Sequence, residues 1–234
     1  MTIVTRAGKG AELTHNEMDN NFIELRDRPT GQVFPKTAGI GLKLDTAIPV
    51  WGWHDLNSPI WIDEDDPNKA LFALYRGSIK ARQFTELSNA FCTFHLTHDY
   101  VPGSDIFIHV HWSHNSTLVT GGSVTWGIEL SYAKGYGQEA FSTTKTVSVL
   151  QAVTSTQYSH LIAETAASVT GGSATQLDTS LIQTDGLILA RVFLDSNDMT
   201  VSSGLKPDPF VHSVDIHYQS TGLPTRNRNF NFWA

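Results

Sequence analysis

The sequence predicts a mainly β protein: an antiparallel β-sandwich of jelly-roll type, preceded by one short N-terminal α-helix. Three observations support this prediction. Apolar and polar residues alternate in roughly nine short segments, turn-forming residues separate those segments, and a helical apolar period occurs near the N-terminus. Because no helices alternate with the strands, as they do in parallel α/β folds, the strands are expected to pair antiparallel.

The predicted helix spans residues 12–25, with the sequence ELTHNEMDNNFIEL. Thr14 is a good N-cap, and Glu17 stands three residues later, so the two can form a capping box. Leu13 and Met18 occupy the two positions of a hydrophobic staple around this cap. The start of the helix is therefore well specified by its own residues.

One apolar stripe follows the length of this helix. Met18, Phe22 and Leu25 recur at i, i+4 and i+7 on an otherwise polar rod, and Pro29 ends the segment. A helix this short is marginal alone in water, so the stripe must pack on the chain's own β domain or on copies of itself. We therefore divide the chain into an N-terminal helical assembly segment, residues 1–30, and a β-sandwich domain, residues 31–234, that ends in a contact tail.

The strands are predicted from a period of two. In SVTWGIELSY, residues 123–132, Val124, Trp126 and Ile128 alternate with polar or small residues, as a half-buried strand requires. Residues 121–122 and 195–198 are among the predicted turns, because glycine, serine, asparagine and aspartate favour turns. The same alternation predicts strands around residues 40–44, 50–53, 71–75, 91–96, 106–112, 144–150, 160–164, 186–194 and 212–219.

Composition excludes several classes of partner. The formal net charge is -7 and the chain has no dense run of lysine and arginine, so neither nucleic acid nor a membrane surface is expected as a partner. The single cysteine, Cys92, excludes a disulfide framework. The N-terminus lacks an apolar signal region and no apolar run has the length of a membrane span, so neither element is expected.

The segment PGSDIFIHVHW, residues 102–112, resembles the opening of the cupin metal motif. Gly103 precedes His109 and His111, and a strand places both imidazoles on one face. The motif would continue with a glutamate four or five residues later, but His114, Asn115 and Ser116 stand there. Structural or interface histidines are therefore favoured over a metal site, and no metal or cofactor is predicted. Other histidines could join a cluster only if their strands are neighbours: His95, His98, His212 and His217.

Catalytic motifs are missing from the sequence. It contains no GxSxG, P-loop, HExxH or GxGxxG, and the acidic run Asp63–Asp66 lacks the spacing and the glycine of an EF-hand. The prediction is a protein without catalytic residues, with a cupin-like metal-binding enzyme as an alternative.

The N-terminal segment KGAELTHNEMDNNFIEL resembles a motif, L-T-x-x-E-x-D-x-N-F, that recurs in virion proteins of tailed bacteriophages, especially tail fibres and related appendages. The body is similar to phage structural proteins through WGWHDL, RGSIKARQF, HDYVPGSDIFIHVHW, SVTWGIELSYAKG and VDIHYQSTGLPTRNRNFNFWA. The resemblance implies a non-catalytic virion component, often a homotrimer, made in the host cytoplasm. The motif falls on Leu13, Thr14, Glu17, Asp19, Asn21 and Phe22.

Two hypotheses of function follow. The first is a trimeric appendage or capsid-decoration protein that contacts capsid, portal or tail proteins of the particle. Its aromatic C-terminus, with Phe230, Phe232 and Trp233, is expected to be buried, either as the last strand of its own sandwich or against another surface.

The second hypothesis is a receptor- or carbohydrate-binding module of the phage tail. Exposed tryptophans such as Trp51, Trp53 and Trp61 would then form a stacking platform for a glycan of the host surface.

Overall fold

The computed structural model describes Thr14 and residues 33–35, 42–44, 51–165, 175–178 and 180–222. The chain forms two compact units, Met1–Gly52 and Trp53–Ala234. In the first unit, strands β1 (Val33–Pro35) and β2 (Leu42–Leu44) pair antiparallel. The predicted N-terminal helix, apart from the exposed Thr14, and the C-terminal tail lie outside the described residues, so both stay predictions.

The second unit is a β-sandwich of two antiparallel sheets. In sheet I the strand order is β10-β7-β12-β5-β4, and β3 also pairs with β12; in sheet II the order is β6-β11-β8-β9. The strands are β3 (Gly52–Ser58), β4 (Leu71–Arg76), β5 (Ile79–Gln83), β6 (Asn89–His95), β7 (Ile106–Ser113), β8 (Val119–Ala133), β9 (Lys145–Ala152), β10 (Leu161–Glu164), β11 (Leu187–Val201) and β12 (Phe210–Ser220).

The core lies between the inner faces of the two sheets. On β7, the alternate residues Ile108, Val110 and Trp112 are fully buried, as their predicted alternation requires. Trp112 of sheet I meets Trp126 of sheet II with ring centroids 5.9 Å apart, and Phe84 packs against Trp126 at 5.4 Å. The prediction of a mainly β protein with antiparallel sheets in a sandwich is confirmed.

Strand β5 was not predicted from the sequence. Its sequence, IKARQ, has only two apolar residues, Ile79 and Ala81, and the strand pairs with β4 through a turn at Gly77, whose φ of 58° suits glycine. Ile79 and Lys80 are both exposed, so the alternation of this short segment does not correspond to a buried face.

Two predicted turns are wrong. Residues 121–122 and 195–198 lie inside the long strands β8 and β11, which pair from Leu187 to Val201. The polar, turn-forming residues are held there by a ladder of backbone hydrogen bonds, with a register shift between Leu194 and Ser196. At Gly122 a Cβ atom would lie 2.2 Å from the carbonyl oxygen of Asp198, so glycine serves close strand pairing rather than a turn.

Candidate functional site

Polar side chains cross the outer face of sheet I in one transverse row. Strand β7 lies between β10 and β12, and the register places His109 directly opposite Glu164 on one side and Asp215 on the other. Because the neighbouring residues of β7 point into the core, His109 and His111 both point outwards. The fold therefore brings one residue from each of three strands to the same position.

His109 is contacted by a carboxylate at each ring nitrogen. Its Nε2 lies 2.5 Å from Oε2 of Glu164, and its Nδ1 lies 3.3 Å from Oδ1 of Asp215. The side chains of His109 and Asp215 are only 5% and 6% exposed, whereas Glu164 is 55% exposed. The imidazole and one of its two carboxylates are thus withdrawn from water.

His111 approaches the second oxygen of the same aspartate. Its Nε2 lies 2.6 Å from Oδ2 of Asp215, and its Nδ1 lies 2.8 Å from Nε2 of His160. Despite these short distances, neither Nε2 of His111 nor Oδ1 of Asp215 has a hydrogen-bond partner of acceptable geometry. Both are buried polar atoms, and burying such atoms without a partner costs free energy.

A further pair extends the row towards β3. The ring centroid of His217 lies 3.9 Å from that of His109, and Nε2 of His217 contacts Oδ1 of Asp55. We call this group the histidine–carboxylate cluster, and its members are Asp55, His109, His111, His160, Glu164, Asp215 and His217. Within it, three sets of three residues have potential ligand atoms within 4.8 Å of one another: His109, His111 and Asp215; His109, Glu164 and His217; and Asp55, Asp215 and His217.

The electrostatics of the cluster follow from burial and from charge. Burial opposes protonation of His109, but Asp215 and Glu164 more than offset this effect, so the pKa of His109 is raised. Burial alone would raise the pKa of Asp215, yet His109 and His111 lower it. Nearby His212 has a lowered pKa because of burial and of repulsion from His160 and His111.

The prediction that His109 and His111 bind no metal depended on the absence of a glutamate shortly after them in the sequence. The glutamate that the sequence motif lacks downstream of His111 has a counterpart in Glu164, which reaches His109 from β10. Asp215 and His217 could be assigned to the polar face of their strand from sequence, since they alternate with buried Val214, Ile216 and Tyr218. Their pairing with β7 could not, because it depends on contacts about 105 residues apart in the chain.

The remaining histidines have other positions. His95 and His98 lie 3.2 Å and 3.1 Å from Oδ1 of Asp185, in a separate group. His114 is fully buried, and its Nε2 lies 2.9 Å from the carbonyl oxygen of Thr154. Nε2 of His212 lies 2.7 Å from Oγ of Ser113. Of the four histidines named as cluster candidates, His217 is the one that joins the cluster.

The two exposed tryptophans of the second unit, Trp53 and Trp61, lie on different sheets. Trp53, 48% exposed, lies edge-on to Phe107 of sheet I, with ring centroids 5.6 Å apart. Trp61, 51% exposed, stacks on Phe91 of sheet II, with ring centroids 4.6 Å apart. Trp51 belongs to the first compact unit.

A shallow cavity of about 300 Å³ lies beside Trp61 on sheet II. Its lining combines the Phe91 ring with the ion pair of Glu129 and Arg191, in which Nε of Arg191 donates to Oε2 of Glu129 at 2.9 Å. An aromatic plane beside charged hydrogen-bonding groups is chemically suited to a polar ring-shaped ligand.

Exposed apolar side chains project from both faces of sheet I at one of its edges. Strand β4 is the edge strand, and Leu71, Phe72, Leu74 and Ile79 of the β4–β5 hairpin are 56%, 60%, 59% and 63% exposed. We call these four residues the apolar hairpin. The same two strands also carry the cations Arg76, Lys80 and Arg82.

Comparisons with known proteins give little guidance. No protein-family model matches the chain, and no curated protein matches it. One solved structure with similarity is the CBM22-1 and GH10 modules of xylanase 10B from Clostridium thermocellum, complexed with xylohexaose, at 15% identity and a TM-score of 0.34. The similarity covers 75% of this chain and 28% of that one, so the chain spans little more than a quarter of the length of that protein.

In the part of the chain that the structure describes, no helix has the length and apolarity needed to cross a bilayer.

Proposed function

We propose that this chain is a non-enzymatic structural component of a bacteriophage virion, a trimeric appendage or capsid-decoration protein. The observation that supports this proposal best is the apolar hairpin. Phe72 and Leu74 project from one face of the hairpin and Leu71 from the other, so this edge of the sheet exposes large apolar side chains on both faces, where another chain can contact them. Among the described residues no strand pairs with the outer edge of β4, and a strand edge of this kind favours contact with another chain.

The charges around the hairpin favour a second copy as the partner. Arg76 and Lys80 give the hairpin a basic rim, whereas Asp63, Glu64 and Asp65 form an exposed acidic loop elsewhere on the same subunit. Two like hairpins facing each other would bring cations together, so the hairpin is better matched to the acidic loop of the next subunit. Such a head-to-tail contact between different surfaces forms a ring when the rotation between subunits closes, and a trimer closes with a rotation of about 120°.

The N-terminal and C-terminal segments extend this proposal. The resemblance to phage virion proteins supports an assembly role for the apolar stripe of Met18, Phe22 and Leu25, and for the aromatic tail of Phe230, Phe232 and Trp233. Their partners would be neighbouring subunits or the capsid, portal or tail proteins of the particle.

The strand order supports the finer fold assignment within this proposal. The order β5-β12-β7-β10 in one sheet faces β6-β11-β8-β9 in the other, and this is the arrangement expected of an eight-stranded jelly roll. Jelly rolls are common both in viral capsid proteins and in lectins, so the fold suits either hypothesis of function.

The first test is sedimentation of the purified full chain over a range of concentrations. Each apolar side chain contributes ~1.5–3 kcal/mol when fully buried, and 59% of Leu74 and 63% of Ile79 remain exposed, so each contact is worth about 1–2 kcal/mol. Replacing both by serine should therefore weaken association by about 2–4 kcal/mol per contact, roughly 30- to 1000-fold.

The control is Leu150→Ser, a substitution of a leucine that is 71% exposed on β9, the edge strand of sheet II. We expect the wild type and this control to sediment as trimers and the double variant as monomers with an unchanged circular dichroism spectrum. A monomeric wild type at all concentrations, or a double variant that associates like the wild type, would contradict the proposal.

Glycan binding by a tail module is the second candidate, and the cavity beside Trp61 favours it. The Trp61 ring stacks on Phe91 while retaining an exposed face, and Glu129 and Arg191 provide charged hydrogen-bonding groups at its side. A glycan array should then show binding that Trp61→Ala abolishes and that Trp53→Ala, on the other sheet, leaves intact. Equal binding by the wild type and Trp61→Ala would exclude this cavity as the binding site.

A further inference from the structure

We propose that His109, His111 and Asp215 form a binding site for a divalent transition-metal ion, best matched by Zn²⁺, on the outer face of sheet I. This proposal replaces the expectation of a metal-free histidine pair and goes beyond the structural function proposed above. Two imidazoles and one carboxylate leave a fourth position for water in a tetrahedral site.

Each of the three side chains places a potential ligand atom within 4.8 Å of those of the other two. Two ligand atoms at ~2.0–2.1 Å from a tetrahedral ion lie roughly 3.3–3.4 Å apart. Nδ1 of His109 lies 3.3 Å from Oδ1 of Asp215, and Nε2 of His111 lies 2.6 Å from Oδ2. Small rotations of the His111 and Asp215 side chains would bring the shorter pair to the same separation.

The missing hydrogen bonds support the same reading. Nε2 of His111 and Oδ1 of Asp215 are buried and close to complementary atoms, yet neither makes a hydrogen bond of acceptable geometry. A metal ion between them would satisfy both atoms at once, as it needs only their lone pairs.

The other ring nitrogens have the partners that metal-bound histidines require. A ligating histidine usually donates its remaining N–H to a carboxylate or another acceptor, which fixes its tautomer and orientation. Nε2 of His109 lies 2.5 Å from Glu164, and Nδ1 of His111 lies 2.8 Å from Nε2 of His160. The first set of three is therefore preferred over the set of His109, Glu164 and His217, since using Nε2 of His109 or Glu164 as ligands would remove this support.

The charge balance also favours a cation. Three members of the cluster are carboxylates: Asp55, Glu164 and Asp215. Asp215 is buried, and a buried carboxylate requires a paired positive charge. A divalent ion held by His109, His111 and Asp215 would supply this charge.

The test uses untagged full chain stripped with a chelator and then dialysed free of it, titrated calorimetrically with Zn²⁺ and, separately, with Co²⁺. We expect one ion per chain in the wild type and visible absorption of the Co²⁺ form typical of a tetrahedral site. His111→Ala and Asp215→Asn should lose at least about 100-fold in affinity. Glu164→Gln, which removes only the carboxylate that orients His109, should lose about 10- to 100-fold.

The matched control is His95→Ala, which removes a histidine 61% exposed outside the cluster. It should bind both ions as the wild type does. Glu164→Gln alters a half-exposed residue, so its fold can be checked by circular dichroism if the buried variants misfold. The proposal is overturned if the wild type binds neither ion, if folded His111→Ala or Glu164→Gln binds as tightly as the wild type, or if His95→Ala loses binding as well.

Discussion

Replacement of Asp215 by asparagine should be the most destabilising polar substitution on sheet I in metal-free protein. Asp215 and His109 are 6% and 5% exposed, so their interaction is not screened by solvent. Asparagine has nearly the same shape but no charge, and it leaves the raised pKa of His109 supported by Glu164 alone. The effect therefore comes from electrostatics rather than from a cavity.

The expected loss of stability is set by the burial of the pair. Removing one partner of a buried ion pair costs about 3–5 kcal/mol. Glu164 remains beside His109 and asparagine can keep a hydrogen bond, so we expect the lower end, about 3 kcal/mol. For a domain of this size, ~1 kcal/mol shifts the melting temperature by about 2–4 °C, which gives a decrease of about 6–12 °C.

The difference in stability between the wild type and Asp215→Asn should depend on pH. The pKa of His109 is raised from 6.5, so its contribution is present below pH 6.5 and is lost as the pH rises through the raised value. The pKa of Asp215 is lowered from 3.8, so its contribution is present above pH 3.8 and is lost as the pH falls through the lowered value. The gap between wild type and variant should be largest between these limits.

The assay is urea denaturation followed by circular dichroism at a series of pH values, with chelator present throughout. Asp195→Asn, at an exposed position on β11, is the matched control and should stay within about 0.5 kcal/mol of the wild type. The other titratable groups facing the pair are Glu164, His111, His160, His217 and Asp55, and they are unchanged in both variants. A gap that is below about 1 kcal/mol, or that does not vary with pH, would refute this account of the pair.

Four further outcomes are expected. Gly127→Ala should cost about 1–3 kcal/mol in urea denaturation, because a Cβ there would lie 2.1 Å from the Phe193 ring; an unchanged midpoint would contradict this. Burial raises the pKa of Cys92 to about 12, so at pH 8 its thiol should react with an alkylating reagent only after unfolding, and rapid labelling of the native protein would be inconsistent with the structure. Phe22→Asp should weaken assembly while the β-sandwich still folds, as sedimentation and circular dichroism can show; unchanged mass and unchanged incorporation into particles would count against an assembly helix. Deleting residues 227–234 should abolish folding, trimers or particle attachment, according to which surface buries the tail, and a deletion without effect on all three would show that the tail has no contact.

The faces of the strands were largely predictable from sequence. Apolar alternation assigned Val124, Trp126 and Ile128 to the core, and all three are fully buried. Alternation failed where a strand is held by its neighbours rather than by its own apolar face. Strand β5 and the polar part of β11, residues 195–198, were missed for this reason.

The site was only half predictable. His109 and His111 were found because they stand two residues apart in one strand. The carboxylates beside them come from other strands, Glu164 from β10 and Asp215 from β12, and a strand's neighbours in a sandwich are set by topology rather than by local pattern. The cupin motif has its glutamate in the same segment as the histidines, whereas in this fold the carboxylate beside His109 comes from Glu164 of the neighbouring strand β10.

The position of the cluster suggests a reason to retain it. An outer sheet face needs only exposed polar residues, so burying His109 and Asp215 there costs free energy that other residues would not. The pair bridges β7 and β12, and β5 joins sheet I where Gln83 and Arg82 pair with Phe210 and Val211 of β12. A metal ion bound between β7 and β12 would hold β12 in place. Because β12 pairs with β5 of the apolar hairpin, the proposed metal site and the proposed assembly surface are connected through β12. Loss of metal should then weaken subunit association without changing any residue of the hairpin.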